Sequence, residues 1–257
     1  MDIGNQGMRM AEQVVVVTGA SGGIGAATAE LLASQGHAVV VVARRADPLA
    51  AVAVRCQGRA YGIVADCTKR DDVARVVSES VAQFGHVDVW VNNVGQGISR
   101  QPTELTDQDI DDMIRLNVKS ALYGMQEILP HFKSRGRGQI INVSSMLGRI
   151  PFARFRSAYV GSKHFLNALT AMVREEVQQS HPDIQVSLVS PGVVRTDFGV
   201  NAIHGGPDSR QLPHSQSAEE VAAVIAGVID SRKPDVYTRA GAQARIADYY
   251  ASVGVDP

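Results

Sequence analysis

Tyr159 and Lys163 stand four positions apart in SAYVGSKH, residues 157–164. On a helix, side chains at i and i+4 share a face. A phenol and an ammonium would then lie side by side. A nearby cation favours the phenolate and lowers the phenol pKa. A free tyrosine titrates near ~10, so bringing it to neutrality takes ~3 pH units, or ~4 kcal/mol. Such a tyrosine could give or take a proton near neutral pH. So short a pattern equally describes two residues on a helix surface, and the rest of the chain has to decide.

A second group of residues could hold a ligand. TGASGGIG, residues 18–25, lies at a strand-to-helix turn. Glycines at 19, 23 and 25 let the backbone turn tightly and approach a ligand closely. The helix that follows aims free N–H groups and its positive end at an anion. That is a phosphate-binding design, although G-x-x-x-G-x-G is not the usual G-x-G-x-x-G spacing. Further on, VVARRAD places Ala43 where a dinucleotide site commonly has an acid for the ribose 2′-OH. Arg44 and Arg45 follow. An arginine can bind a 2′-phosphate through several N–H groups, so NADP(H) is expected rather than NAD(H).

The elements that must position these groups are legible as a repeat. VVVV at 14–17, HAVVVVARR, AYGIVAD, VDVWVNNVG, GQIINVSS and IQVSLVSPG are short, β-branched runs, the pattern of buried strands. PDVYTR adds a further candidate. Helical stretches such as IGAATAELLASQG and RDDVARVVSESVAQFG lie between them. Strands alternating with helices imply βαβ units and a parallel sheet covered on both faces. Leu166, Leu169, Val173 and Val177 recur at steps of three and four and form a core stripe. His164 points about 100° around the helix from Lys163 and reads as structural or interfacial. Residues 197–217, rich in Gly, Pro and Ser, form a long irregular segment, as substrate lids often do.

TGASGGIG, NNVG (92–95), INVSS (141–145), YVGSK (159–163) and PGVVRT (191–196) occur together and in this order. On these motifs the chain resembles the compact members of the short-chain dehydrogenase/reductase family over nearly its whole length. Val94 stands where alanine is commoner, and Gly22 where many NADP(H)-preferring members carry a basic residue. The resemblance implies a doubly wound, Rossmann-type three-layer α/β sandwich with a mostly parallel sheet, one domain over residues 1–257. It implies Tyr159 as acid/base, Lys163 as the residue that lowers its pKa and holds the nicotinamide ribose, and Ser145 as the hydroxyl that polarises the carbonyl. Asn117 would position a water in a proton relay. Gly19, Ser21, Gly23, Ile24 and Gly25 would hold the phosphates, with Arg44 and Arg45 beside them. Asp66 would meet the adenine, Asn93 and Gly95 the adenosine ribose, and Pro191, Gly192, Val194 and Thr196 the nicotinamide. Read alone, Ser145 could equally cap a turn, and Asn117 could bond its local backbone.

The segment MLGRIPFARFRSAY leaves the substrate open. Met146, Leu147, Ile150, Phe152 and Phe155, with Phe198 from the irregular segment, could line an apolar pocket for a hydrophobic or aromatic ketone. Arg149, Arg154 and Arg156 could instead meet an acidic group.

Composition sets the outer limits. The chain has 257 residues, 45% of them hydrophobic, and a formal net charge of −1. There is no charge surplus that would argue for nucleic acid or a membrane surface. No apolar run is long enough to span a bilayer. The first twelve residues read as a loose extension without a signal peptide's apolar core. Two cysteines give no disulfide framework, and the scattered histidines suggest no metal site; a cytoplasmic location fits. The expectation is an NADP(H)-dependent oxidoreductase acting on a small carbonyl or alcohol, assembled as a homodimer or homotetramer, as similar proteins are. One alternative is a 3-oxoacyl-thioester reductase working on a carrier-bound substrate. Another is a non-catalytic NADP(H) sensor, which would need no Asn–Ser–Tyr–Lys set.

Overall fold

The computed structural model describes residues 12–254; most of the expected N-terminal extension, residues 1–11, lies outside them. Seven strands form one sheet: β1 (Val14–Thr18), β2 (Ala38–Ala43), β3 (Ala60–Val64), β4 (Val89–Asn92), β5 (Gly138–Val143), β6 (Ile184–Ser190) and β7 (Asp235–Tyr237). Their order is β3-β2-β1-β4-β5-β6-β7, and each pairing is parallel. The late PDVYTR strand therefore completes a wholly parallel sheet, where a mostly parallel one was expected. Val15 pairs with Val39 on one side and Val89 on the other. The strand order reverses between β1 and β4, the place where open α/β sheets form a ligand crevice.

The continuous apolar runs are explained by burial on both faces. Val15 and Val17 of β1 face one core with Leu32, Val41 and Ile225; Val14 and Val16 face a second with Val40, Trp90 and Phe132. Helices α1 (Gly23–Ser34), α2 (Ala46–Arg55) and α7 (Ala218–Ser231) cover the first core. Helices α3 (Arg70–Phe84), α5 (Ser120–Arg135) and α6 (Ser157–Ser180) cover the second. Leu166 and Val177 of the expected α6 stripe are buried, with Leu169 and Val173 packed at the margin of that core. Two further helices, α4 (Asp107–Ile114) and α8 (Ala242–Val253), complete the fold.

One departure from a regular helix matters for the site. Between α4 and α5 the chain winds as a π-helix over Arg115–Lys119. Such wide turns are rare and frequently lie at functional sites. This one carries Asn117.

Candidate active site

All seven strands end on the same edge of the sheet, and the residues just beyond six of those ends line one cavity of about 840 Å³. Of the residues singled out from the sequence as cofactor, catalytic or apolar-pocket candidates, all line it except Ile150, Gly25 and Asn117, the last two standing directly behind its wall.

At one end is the glycine turn. Gly19 and Gly23 adopt φ +66° and +55°, left-handed conformations that favour glycine. At Gly25 the constraint is space: a Cβ would lie 2.5 Å from the Gly19 carbonyl oxygen. Asn93 donates from Nδ2 to the Thr18 and Gly19 carbonyls at 3.1 and 3.3 Å, so its amide braces the turn. Helix α1 starts at Gly23 with no side-chain cap and no acid in its first turn, so its end N–H groups suit an anion. Arg44 and Arg45 stand exposed on the rim, and Arg45 donates to Ser21 Oγ at 3.2 Å. No carboxylate among the described residues pairs with either. Asp66 lies alongside, its Oδ1 held by the amide and hydroxyl of Thr68. This donor set fits the phosphates and ribose of a dinucleotide.

At the other end are Ser145, Tyr159 and Lys163. Lys163 Nζ sits 5.8 Å from the centre of the Tyr159 ring and donates to the Val143 carbonyl at 3.0 Å. The helical spacing thus produces the expected side-by-side pair, but the electrostatics run opposite to expectation. Burial pushes the Tyr159 phenol up to about 12; the Ser145 hydroxyl and the Arg156 charge only partly oppose it. Burial likewise pulls Lys163 down to about 8. A tyrosine at this depth is held as the neutral phenol, the form that donates a proton. Ser145 also accepts from the Leu147 amide at 3.1 Å, capping a short 3-10 turn. Its oxygen therefore serves the local backbone as well as facing the cavity.

Asn117 does not reach the cavity. Its Oδ1 accepts from the Gln96 amide at 2.8 Å, and its Nδ2 donates to the Gln96 carbonyl and to Ser162 Oγ. Ser162 in turn donates to the Tyr159 carbonyl at 2.7 Å. Asn117 so links the loop after β4 to α6, one step behind Tyr159. A Cβ on Gly95 would touch both Asn117 Oδ1 (3.3 Å) and Lys163 Nζ (3.6 Å), so a glycine keeps open the space between them. The sequence gives no sign of a buried chain beneath this floor: Trp90 Nε1 donates to Asn92, Asn92 to Asn142, and Asn142 to Thr170. Amides at the ends of neighbouring strands are the one available signal.

Residues of the segment 197–217 line the cavity at this end. Phe198 packs edge-on against Tyr159 with ring centres 5.5 Å apart. Met146 is buried and Leu147 half-buried, while Phe152 and Phe155 are exposed at the mouth. Ile150, also considered for the pocket, is buried away from it.

The same architecture recurs in known proteins. Residues 13–205 match the family model described as short chain dehydrogenase. The chain belongs to the short-chain dehydrogenase/reductase family. It is an oxidoreductase of that family, whose solved members include NAD and NADP complexes. The A-factor type gamma-butyrolactone 1'-reductase (1S-forming) of Streptomyces virginiae is 34% identical over 87% of this chain and 90% of its own length. A metagenomic short-chain oxidoreductase solved in complex with NADP is 32% identical, with a TM-score of 0.73 over 89% of this chain and 97% of that one. A Burkholderia phymatum family member solved with NAD, only 22% identical, shares the fold at a TM-score of 0.85 over 96% of this chain and 97% of that one. Among the described residues, no helix is long and apolar enough to cross a membrane, and no group of three or more His, Cys, Asp or Glu side chains could hold a metal.

Proposed function

We propose that this protein is an NADP(H)-dependent carbonyl reductase or alcohol dehydrogenase with Tyr159 as its acid/base. The observation that carries this reading is the single cavity joining the glycine turn and the rim arginines to Tyr159, Lys163 and Ser145. The bound nicotinamide supplies or accepts the hydride. Tyr159 gives a proton to the carbonyl oxygen, which Ser145 polarises. Lys163 holds the ribose hydroxyls and, with Asn117 behind it, resupplies the proton. Burial holds the phenol in its neutral form at neutral pH, ready to give that proton. The Streptomyces virginiae relative, itself named a reductase, supports reduction as the working direction. Phe198 and the rest of segment 197–217 form the substrate loop, with Met146, Leu147, Phe152 and Phe155 as the other walls. Exposed Ile110, Phe165 and Met172 on α4 and α6 support a homodimer or homotetramer. Two free, buried cysteines suit a reducing cytoplasm.

Titration with NADPH and NADH tests the cofactor half. NADPH is expected to bind at least about tenfold more tightly, through charge-assisted bonds from Arg44 to the 2′-phosphate. Arg44→Asp should erase or reverse the preference. An unchanged preference in that variant removes Arg44 from the site, and tighter NADH binding by the unaltered protein overturns the NADP(H) assignment.

A further inference from the structure

Three arginines precede Tyr159, and the structure separates them. Arg149 is paired with Asp235 and lies over the Tyr237 ring. Arg154 is exposed and away from the cavity. Arg156 is 7% exposed, lines the cavity, and stands three residues before Tyr159 at the start of α6.

Arg156 is a buried cation without a counter-ion. Its one protein hydrogen bond runs from Nη1 to the Ile98 carbonyl at 3.2 Å, although a guanidinium carries five N–H donors. No aspartate or glutamate among the described residues pairs with it. The acids on the surrounding segments are committed elsewhere, Asp109 to Arg100 and His204, and Asp197 to Arg210. Taking a charge out of water without a partner is costly, and proteins rarely leave one so.

Nor is the group free to move. A Cβ on Gly97 would lie 2.6 Å from Nη1, and one on Gly206 would lie 2.8 Å from Nη2. The guanidinium is thus held between the loop after β4 and the 197–217 segment, and it lies 5.3 Å from the centre of the Phe155 ring. A fixed guanidinium with all but one of its donors unused, in a partly apolar cavity that Tyr159 also lines, matches the oxygens of a carboxylate.

We propose that Arg156 binds a carboxylate on the substrate, so that this enzyme acts on oxo acids with an apolar carbon skeleton. The inference rests on the carbonyl-reductase reading given above. On reduction the carbonyl carbon gains a hydride, the reduced cofactor becoming oxidised. The carbonyl oxygen takes the Tyr159 proton, and the carboxylate leaves unchanged on a hydroxy acid. Met146 and Phe198 face the skeleton between the two polar ends.

The test uses aryl oxo acids with zero, one or two carbons between carbonyl and carboxylate, each beside its methyl ester. Turnover with NADPH gives kcat/KM for each pair. Calorimetry of the same pairs, on protein saturated with NADP⁺, gives binding without turnover. At one spacing the acid should exceed its ester by about ten- to hundredfold in both readouts, the worth of a charge-assisted contact. Arg156→Gln should bring the acid-to-ester ratio close to one with NADP⁺ affinity retained, and Arg156→Lys should keep part of the preference. An arginine that only ties two loops together would alter stability and leave the ratio intact. Equal use of acid and ester by the unaltered protein, at every spacing, overturns the proposal whether or not the variants fold. So does a preference that survives Arg156→Gln. Tight acid binding with no turnover of either probe would support Arg156 and overturn the carbonyl-reductase reading instead.

Discussion

The floor and the lid of this cavity are built by different means. The floor is made of the ends of parallel strands and the first turn of α6, and its polar groups are buried and multiply bonded. Asn93 braces the glycine turn, and Asn117 ties the loop after β4 to Ser162. The lid, residues 197–217, has a single short 3-10 turn at Ser209–Gln211. Phe198 rests on Tyr159 and Gln216 bonds Thr238 and Val193, and the stretch between is held mainly to the loop after β4. The Ser99 amide donates to Ile203, the Ile203 amide donates to Gly97, and Gln96 donates to Asn201. His204 and Arg100 both meet Asp109. A floor of this kind fixes reacting groups to fractions of an ångström. A lid of this kind opens locally at little cost to the rest. The reaction is therefore expected to be sensitive to single floor atoms, and substrate entry to lid contacts.

The largest effect tests the floor by one oxygen. Tyr159→Phe removes the phenol hydroxyl and keeps the ring against Phe198. Turnover should fall about 10²–10⁴-fold, the usual worth of a positioned proton donor. Cofactor affinity should hold within about threefold. Steady-state kinetics with a binding titration measures both, and undiminished turnover would end the mechanism.

A second variant asks what the floor costs the fold. Burial lowers Lys163 from 10.5 to about 8. Below pH 8 the ammonium is charged in both the folded and unfolded states, and its burial penalty is fully present. Between pH 8 and 10.5 the unfolded chain binds the extra proton, so stability rises with pH there. Lys163→Met removes this penalty, at most about 3 kcal/mol from the pKa difference, and gives up the bond to Val143. A net gain of about 1–2 kcal/mol is expected at pH 7, with turnover lost. The gain should shrink at pH 9.5. Guanidinium unfolding at the two pH values checks the sign; a variant less stable at pH 7 would mean that Lys163 supports the fold as well as the chemistry.

The same contrast explains what could be read from the sequence. The glycine turn was legible because its causes are local: two left-handed residues and one close approach within seven positions. The Tyr–Lys pair was legible for the same reason, as an i, i+4 relation within one helix. The direction of the tyrosine pKa was not, since spacing reports a neighbouring charge and says nothing of depth. Burial outweighs the Ser145 hydroxyl and the Arg156 charge here. The wide turn at Asn117 is also hidden, because Arg115–Lys119 has the composition of any helix. Arg156 reads like Arg149 and Arg154 until Gly97 and Gly206, far away in the chain, close around it. Composition marked residues 197–217 as a long irregular stretch, the character of a lid or a mobile segment. Its latch was invisible because Asp109 looks like a helix-capping residue, which it also is.

The smallest effect probes that latch and would sharpen the contrast most. His204 Nε2 meets Asp109 Oδ1 at 2.7 Å, and Arg100 Nη1 meets Oδ2 at 2.9 Å. The Thr106 amide, foremost, and then His204 hold the Asp109 carboxyl well below the usual carboxylate range, so it is ionised at neutral pH. Its stabilising share is present above about pH 4 and is lost only in strong acid. Arg100 also approaches His204 Nδ1 at 3.5 Å, which favours a proton on Nε2, facing the carboxylate. His204→Ala deletes one contact and leaves the Arg100–Asp109 pair in place. The lid should then open more easily by about 1 kcal/mol, or about fivefold in local exchange. The Ile203 and Ser99 amides, which bond the lid to its neighbouring loop, are the reporters for hydrogen exchange. Their exchange should quicken about fivefold, while the Val91 and Val143 amides in β4 and β5 stay unchanged. Equal acceleration in the strands would show that lid and floor open as one unit, and the division between them would fail.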